Sequence, residues 1–379
     1  MTMWSPIWHQ AITRSLRDGK AFGNNKTVIF TVHSPAEGSR LRIRFSNRFG
    51  TIPYEIGAMR IIIAGKAFPV TLEGKNSFCI PTGSCPVSDE LSLSIPAKSS
   101  LEFRLYYTTP VNDSNMIEEE ATLLPGDQTE APSYRMKTPL LAKLLGAYNA
   151  IPAIESIEVF TGDPVHSIVA FGDSITAMSR WTKPLAKRLE QAYHGEYVLL
   201  NSGITGNCLL YEPKGLFGPV YGEKGSVRFE RDVLDIPGLH TVIIGLGVND
   251  VSYFTEENKE LINLLAFSGE ITRMVNILHE RKVRVVMQTI TPRLGVSRTM
   301  GKFTPDMEQL RLAINDWIRS ADIFDYVFDA DAVVREEHGD GFYYAEGLHK
   351  GDHLHPNTKG GQKLADAFDL KKLTGRDTI

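Results

Sequence analysis

The hydrophobic pattern changes period near residue 165, and no single regular fold accommodates both halves. Before that point apolar residues alternate with polar ones in short runs. Leu41, Ile43 and Phe45 interleave with Arg42, Arg44 and Ser46, the mark of a strand with one face buried. Val28–His33, Ala58–Ile63, Leu91–Ile95 and Leu101–Tyr107 are similarly short and rich in β-branched or aromatic residues. Turn-forming residues separate them: Pro35-Ala36-Glu37-Gly38, Phe49-Gly50, Gly65-Lys66, Gly74-Lys75-Asn76 and Pro81-Thr82-Gly83. Strands at this spacing predict a β-sandwich. From Val165 onward, near-continuous apolar strands alternate with helical stretches. The strands are His166–Phe171, Tyr197–Leu200, Thr241–Gly245, Val283–Ile290 and Tyr326–Asp329; the helices are Thr182–Tyr193, one or more within Glu256–Arg281, Thr304–Ser320 and Thr358–Phe368. That alternation predicts a parallel sheet covered on both faces. Two domains are therefore expected, residues 1–160 and 161–379. The connecting segment from Thr108 to Ala153 carries an acidic run, Glu118–Glu120, read as a solvated face, and an apolar stretch, Leu140–Ala147, read as a short helix. Ile154–Phe160 reads as the last strand of the first domain.

Composition narrows the function classes. The 379-residue chain is long enough to bury its cores without covalent staples. Lys and Arg total 41 against 45 Asp and Glu, a net charge of −4, which argues against broad binding to nucleic acid or anionic membrane. Apolar runs such as Val242–Ile244 fall far short of the roughly 20 residues of a membrane-spanning helix. The opening Met-Thr-Met-Trp-Ser-Pro-Ile-Trp has neither a basic n-region nor an apolar h-region, so no signal peptide is visible and a cytoplasmic location is expected. Three cysteines, Cys79, Cys85 and Cys208, make no disulfide framework and are read as free thiols. The sequons at Asn25 and Asn112 then read as chance matches.

The residues able to carry chemistry sit where an open α/β sheet gathers its sites, beyond the C-terminal ends of strands. Gly172-Asp173-Ser174 follows the first strand and precedes a helix, which places Ser174 near main-chain N–H groups; Asp and Ser are equally the usual helix N-caps. Asn201-Ser202-Gly203-Ile204-Thr205-Gly206-Asn207 follows the second, with glycines that permit close approach of backbone to a ligand or simply an ordinary turn. Gly247-Val248-Asn249-Asp250 follows the third; Asn249 offers an amide N–H to an anion, or the pair is an Asn-Asp turn. Asp352-His353-Leu354-His355 precedes the last helix. Its spacing lets the Asp352 carboxylate accept a hydrogen bond from His355 Nδ1–H, which leaves Nε2 free to take a proton from a serine. Metal binding by Asp352, His353 and His355 and a purely structural loop are the competing readings.

Taken together, the order and placement of these four blocks resemble the SGNH hydrolases, the GDSL-type esterase/lipase superfamily, over Val165–Leu373. Softer patterns, Arg228-Phe229-Glu230-Arg231-Asp232-Val233-Leu234 with Pro237-Gly238, and Arg42–Gly50, resemble two-domain bacterial-type members with an N-terminal β-domain. Ala177-Met178-Ser179 departs from the more polar or Gly residues common in that branch. The resemblance implies an SGNH (flavodoxin-like) three-layer α/β/α sandwich with a parallel sheet, preceded by a jelly-roll-like β-sandwich. It implies Ser174 as nucleophile, His355 as base and Asp352 as its orienting carboxylate. The oxyanion would be held by the N–H groups of Ser174 and Gly206 and the Asn249 amide, with no metal and no cofactor. The implied activity is hydrolysis of carboxylic esters through an acyl-enzyme, on short-acyl or carbohydrate O-acetyl substrates. A lysophospholipase- or thioesterase-type acyl hydrolase, or an inactive carbohydrate-binding protein, are the alternatives. Trp181, Tyr211, Phe217 and Tyr221 lie near the blocks as sugar-stacking rings or as packing. Oligomeric state leaves no mark in the sequence.

Overall fold

The computed structural model describes residues 4–14, 24–111, 113–114, 121–130, 151, 153–215, 217–296 and 303–377. The acidic run at 118–120, the apolar stretch at 140–147 and the sequon residue 112 lie outside them.

In the first half two antiparallel sheets face each other. One orders β1 (Trp4–His9), β12 (Ile154–Phe160), β4 (Gly38–Phe45) and β8 (Leu91–Ile95). The other orders β11 (Ala121–Pro125), β3 (Lys26–Ser34), β9 (Ser99–Tyr107), β5 (Tyr54–Ile63) and β6 (Lys66–Pro69), with β7 (Phe78–Ile80) also on β5. The chain crosses from one sheet to the other between β3 and β4, β4 and β5, β7 and β8, β8 and β9, and β11 and β12, so apart from β5, β6 and β7 most sequence neighbours lie on opposite sides of the core, as in a jelly roll. Two-residue strands β2 (Thr13–Arg14) and β10 (Asp113–Ser114) pair apart from both sheets. The period-two pattern does the sorting: Leu41, Ile43 and Phe45 of β4 meet Phe30, Phe103 and Leu105 in one core, while Arg42 turns outward to pair with Glu158 at 2.6 Å. No strand is expected from the sequence at β1, which carries Pro6 inside it. The structure makes β1 an edge strand whose register shifts between Pro6 and Trp8, a place where proline costs no ladder bond.

The second half is a five-stranded parallel sheet in the order β14 (Tyr197–Gly203), β13 (His166–Gly172), β15 (Leu239–Gly245), β16 (Arg284–Gln288) and β17 (Tyr326–Phe328). Counted along the chain that is 2-1-3-4-5, the doubly wound order whose switch point lies between its first and third strands. Alternate residues feed two cores. Val169, Phe171, Val242, Ile244 and Met287 pack under the helices Leu264–Glu280 and Pro305–Ser320. Ile168, Ala170, Ile243 and Val286 pack under Thr182–Tyr193 and Thr358–Ala367. The result is a three-layer α/β/α sandwich. The helix starts follow local chemistry: Thr304 caps Met307 N ahead of Pro305, and Asn263 caps Ala266 N. A hairpin of β18 (Arg335–His338) and β19 (Gly341–Tyr344) lies outside the main sheet.

The two halves meet along a seam. Gln10, directly after β1, forms a parallel bridge to Asn201 of β14, and its Nε2 donates to the carbonyls of Ile151 and Ile154, both at 2.6 Å. Thr13 packs on Gly222, where a Cβ would meet its methyl at 3.0 Å. Cys79, Cys85 and Cys208 are free thiols. Among the described residues no helix is long and apolar enough to cross a membrane.

Candidate active site

The switch point of the parallel sheet brings the four sequence blocks together. β13 ends at Gly172, where any Cβ would lie 2.2 Å from Thr176 Oγ1, so the chain can turn tightly into the helix Ser174–Ala177. Asp173 caps that helix, its Oδ1 accepting from Ile175 N–H at 2.9 Å. Ser174, only 4% exposed, then presents its Oγ 2.9 Å from His355 Nε2.

His355 reaches that position from a loop held by its own aspartate. Asp352 Oδ2 lies 2.7 Å from His355 Nδ1, and Oδ1 accepts from the main-chain N–H groups of Leu354 and His355 at 3.1 and 2.9 Å. Burial works against the carboxylate, but these hydrogen bonds outweigh it and hold Asp352 well below the usual carboxylate range. An ionised Asp352 accepts only, so the imidazole proton belongs on Nδ1 and Nε2 is the acceptor that faces the Ser174 hydroxyl. Ser174, His355 and Asp352, 181 and 3 residues apart, form one continuous relay.

Facing Ser174 across the switch point are the segments after β14 and β15. Gly206 has φ +76, and a Cβ there would lie 2.1 Å from the Tyr221 ring, so glycine is required twice over. Among the described residues the main-chain N–H groups of Ser174 and Gly206 meet no acceptor. Asn249 donates one amide hydrogen to Asn207 O at 3.0 Å and has a second to offer.

Three residues of this neighbourhood were not assigned roles from sequence. Asp250 is fully buried and accepts from Leu209 and Leu210 N–H, each at 2.8 Å, tying the Gly206 loop to the Asn249 helix; burial pushes its carboxyl up to about 6 against those bonds. Asn207 and Arg228 stitch the same loop to β13 and β14 through main-chain carbonyls. All three lie inside or beside the quoted motifs, which was the available signal; most of their partners are backbone atoms far off in sequence.

Other expectations sort cleanly. Trp181 is 1% exposed and stacked on Phe368, centroids 5.5 Å apart, so it is core. Tyr221 stacks with the exposed Phe217 at 6.2 Å, and Tyr211 leans on Tyr253 at 5.4 Å. Cys208 is buried, and burial pushes its thiol well up, leaving it neutral. Asp352 engages His355, which faces Ser174, and among the described residues Asp352, His353 and His355 do not gather as a set of cation ligands. Ligand atoms of Glu346, His349 and His353 do lie within 4.8 Å of one another. However, His349 Nδ1 accepts from the N–H groups of Gly351 and His353 at 3.0 and 3.2 Å, so its Nε2 carries the hydrogen and presents no lone pair.

The sequence profile of the GDSL-like lipase/acylhydrolase family matches residues 170–363, just over half of the chain. No curated protein matches. Among solved structures, the acetylxylan esterase Axe2 from Geobacillus stearothermophilus is 18% identical over 55% of this chain and 94% of its own, with TM-score 0.39. A GDSL-like lipase from Bacteroides thetaiotaomicron VPI-5482 is 17% identical over 54% and 87%, with TM-score 0.38. The α/β hydrolase LAE5 from the metagenome of Lake Arreo, Spain, is 16% identical over 55% and 95%, with TM-score 0.38.

Proposed function

The chain belongs to the GDSL-like lipase/acylhydrolase family and is a carboxylic ester hydrolase, and within that class we propose that it cleaves short-acyl esters, above all O-acetyl groups on carbohydrate, through an acyl-enzyme on Ser174. The observation that carries this reading is the hydrogen-bonded relay from Ser174 Oγ through His355 to Asp352, at 2.9 and 2.7 Å. Ser174 Oγ attacks the ester carbonyl carbon as His355 Nε2 takes the hydroxyl proton. The carbonyl oxygen becomes an oxyanion, which accepts from Ser174 N–H, Gly206 N–H and the second hydrogen of the Asn249 amide. Asp352 stabilises the imidazolium that has formed. Collapse breaks the bond to the alcohol, which leaves with the proton from His355. Water, deprotonated by His355, then attacks the acyl-Ser174 carbonyl and releases the acid.

The substrate class draws on two features. A nucleophile and base only 4% and 8% exposed suit a small acyl group. The exposed Phe217 ring, stacked with Tyr221 beside Gly206, offers an aromatic face of the kind on which sugar rings pack. In this reading residues 161–379 form the catalytic domain and residues 1–160 a β-sandwich that buttresses it.

The test is a panel of esters varied in acyl length and alcohol, read with Ser174→Ala as control. Acetylated saccharides and p-nitrophenyl acetate are expected to turn over fastest, and Ser174→Ala to lower kcat by at least about 10³-fold with the fold retained. Preference for long acyl chains, lysophospholipids or thioesters would replace the substrate assignment. Full activity of folded Ser174→Ala would remove the nucleophile.

A further inference from the structure

We infer that Arg228 is the positioning residue of the oxyanion pocket, its guanidinium bonding two of the three segments that carry the donors and reaching the third through Asn207; the inference rests on the roles proposed above for Ser174, Gly206 and Asn249. Nη2 donates to Gly172 O at 2.9 Å, two residues before Ser174. Nη1 donates to Ser202 O at 2.9 Å, at the end of β14. Nε donates to Asn207 Oδ1 at 2.9 Å, the residue after Gly206. Asn207 passes the constraint on. Its main-chain oxygen accepts the Asn249 amide at 3.0 Å, and its Nδ2 donates to the carbonyls of Tyr221 and Glu223 at 2.8 Å each. Tyr221 is the ring that covers Gly206. Each proposed donor is thus within two residues, or one hydrogen bond, of an atom that Arg228 or Asn207 fixes.

The guanidinium is suited to this work and its burial is compensated. Arg228 is 0% exposed; burial draws its pKa down to about 10 against the pull of Asp232, so it stays cationic at neutral pH. Asp232, one turn on, accepts Nη1 at 3.1 Å, and the Phe171 ring lies under the guanidinium carbon at 4.1 Å. Four bonds from one planar fork reach Gly172, Ser202, Asn207 and Asp232, a spread of acceptors that a compact ammonium cannot reproduce. The same carboxylate extends the support to the β-sandwich. Asp232 Oδ1 accepts from Arg231 Nε at 2.7 Å, and the Arg231 guanidinium carbon lies 5.3 Å from the Phe49 ring centroid across the seam. A π-turn at Glu230–Leu234, a rare geometry that recurs at functional sites, carries Arg231 and Asp232.

The experiment compares the full chain with Arg228→Lys and Asn207→Ala on p-nitrophenyl acetate, and adds phenylboronic acid as a probe that forms a tetrahedral adduct on the serine. Arg228→Lys is expected to lower kcat by about 10²-fold while KM stays within about twofold. The inhibition constant of phenylboronic acid should rise in step. The midpoint of the pH dependence of kcat/KM should not move, because the Ser174–His355–Asp352 relay is untouched. Asn207→Ala cuts the Nε link while leaving the Arg228–Asp232 pair, and carries the same expectation should Arg228→Lys fail to fold. A folded variant with unchanged kcat, a loss confined to KM, or a shifted pH midpoint overturns the inference. Absence of Ser174-dependent turnover in the unmutated protein is a separate result, which overturns the proposed function instead.

Discussion

Asp173 shows how much a single buried group beside Ser174 can do. It is 2% exposed, and burial pushes its carboxyl up to about 7, with the charge of Asp250 adding to the rise and the Ile175 N–H, Arg228 and Arg293 opposing it. An unfolded chain releases this proton near pH 3.9. Between those values the native state holds a proton the unfolded chain has lost, so the stabilisation is complete below about pH 4 and is lost as pH rises through 7. Asp173→Asn copies the protonated form and keeps the oxygen that caps Ile175. Its stability relative to the parent should be level near pH 4 and higher by on the order of 2–4 kcal/mol at pH 8, read from urea melts at the two pH values. A difference that does not change with pH contradicts the assignment. At this scale the residues that the structure brings together as a relay were legible because Asp352 and His355 are local in sequence and Ser174 follows a strand end. Arg228 was legible only as part of a motif: its acceptors, Gly172, Ser202 and Asn207, are 56, 26 and 21 residues away and two of them are main-chain carbonyls, which no residue pattern encodes.

At the scale of elements, the segment between β14 and β15 is tightly constrained. Gly206 combines φ +76 with a ring 2.1 Å from where its Cβ would be. Gly206→Ala must therefore displace Tyr221 and move the adjoining N–H out of the proposed oxyanion pocket. A fall in kcat of about 10²-fold is expected. Adding Tyr221→Ala to the same chain should recover only part of it, since removing the ring leaves the left-handed backbone at a cost of about 1–2 kcal/mol. Steady-state kinetics on both variants separates the steric from the conformational contribution; full recovery would assign the whole effect to the ring. Elements with strong period signals were legible almost to the residue, as Thr182–Tyr193 and Leu91–Ile95 show. Those whose identity depends on a distant partner were not. β1 carries a proline tolerated only because the strand lies on an edge, and the β18–β19 hairpin has no apolar alternation to announce it.

At the scale of the whole molecule, the seam concentrates charge that titrates in the opposite sense to Asp173. His9 is 4% exposed, both ring nitrogens lack a partner among the described residues, and burial lowers its pKa to about 4, helped by Arg228, Arg44 and Arg231 and opposed by Asp232. The unfolded chain takes up this proton from about pH 6.5 downward while the native state refuses it until about 4. Stability from this site is present at neutral pH and is lost as pH falls across that window. His9→Phe should flatten the decline, so that its stability relative to the parent rises by on the order of 1–3 kcal/mol between pH 7.5 and pH 4.5. Equal pH dependence in the two proteins, measured by urea unfolding, would place the acid sensitivity elsewhere. The two-layer and three-layer division of the chain was legible from the change of hydrophobic period. The seam was not, because Gln10, Thr13, Phe49 and Arg231 carry no pattern in common.

The pairing of Trp4 with Phe160 also sets a timetable. At about 5–20 residues per second of synthesis, β1 waits roughly 7–30 s on the ribosome before β12 emerges to cover its hydrogen-bonding edge. Its tryptophans are open to chaperones for that interval. β12 is followed within a few residues by β13, the strand that leads to Ser174. The last strand of the sandwich thus leaves the ribosome just ahead of the first strand of the parallel sheet, and Gln10, which bridges to Asn201 of β14, is made long before its partner.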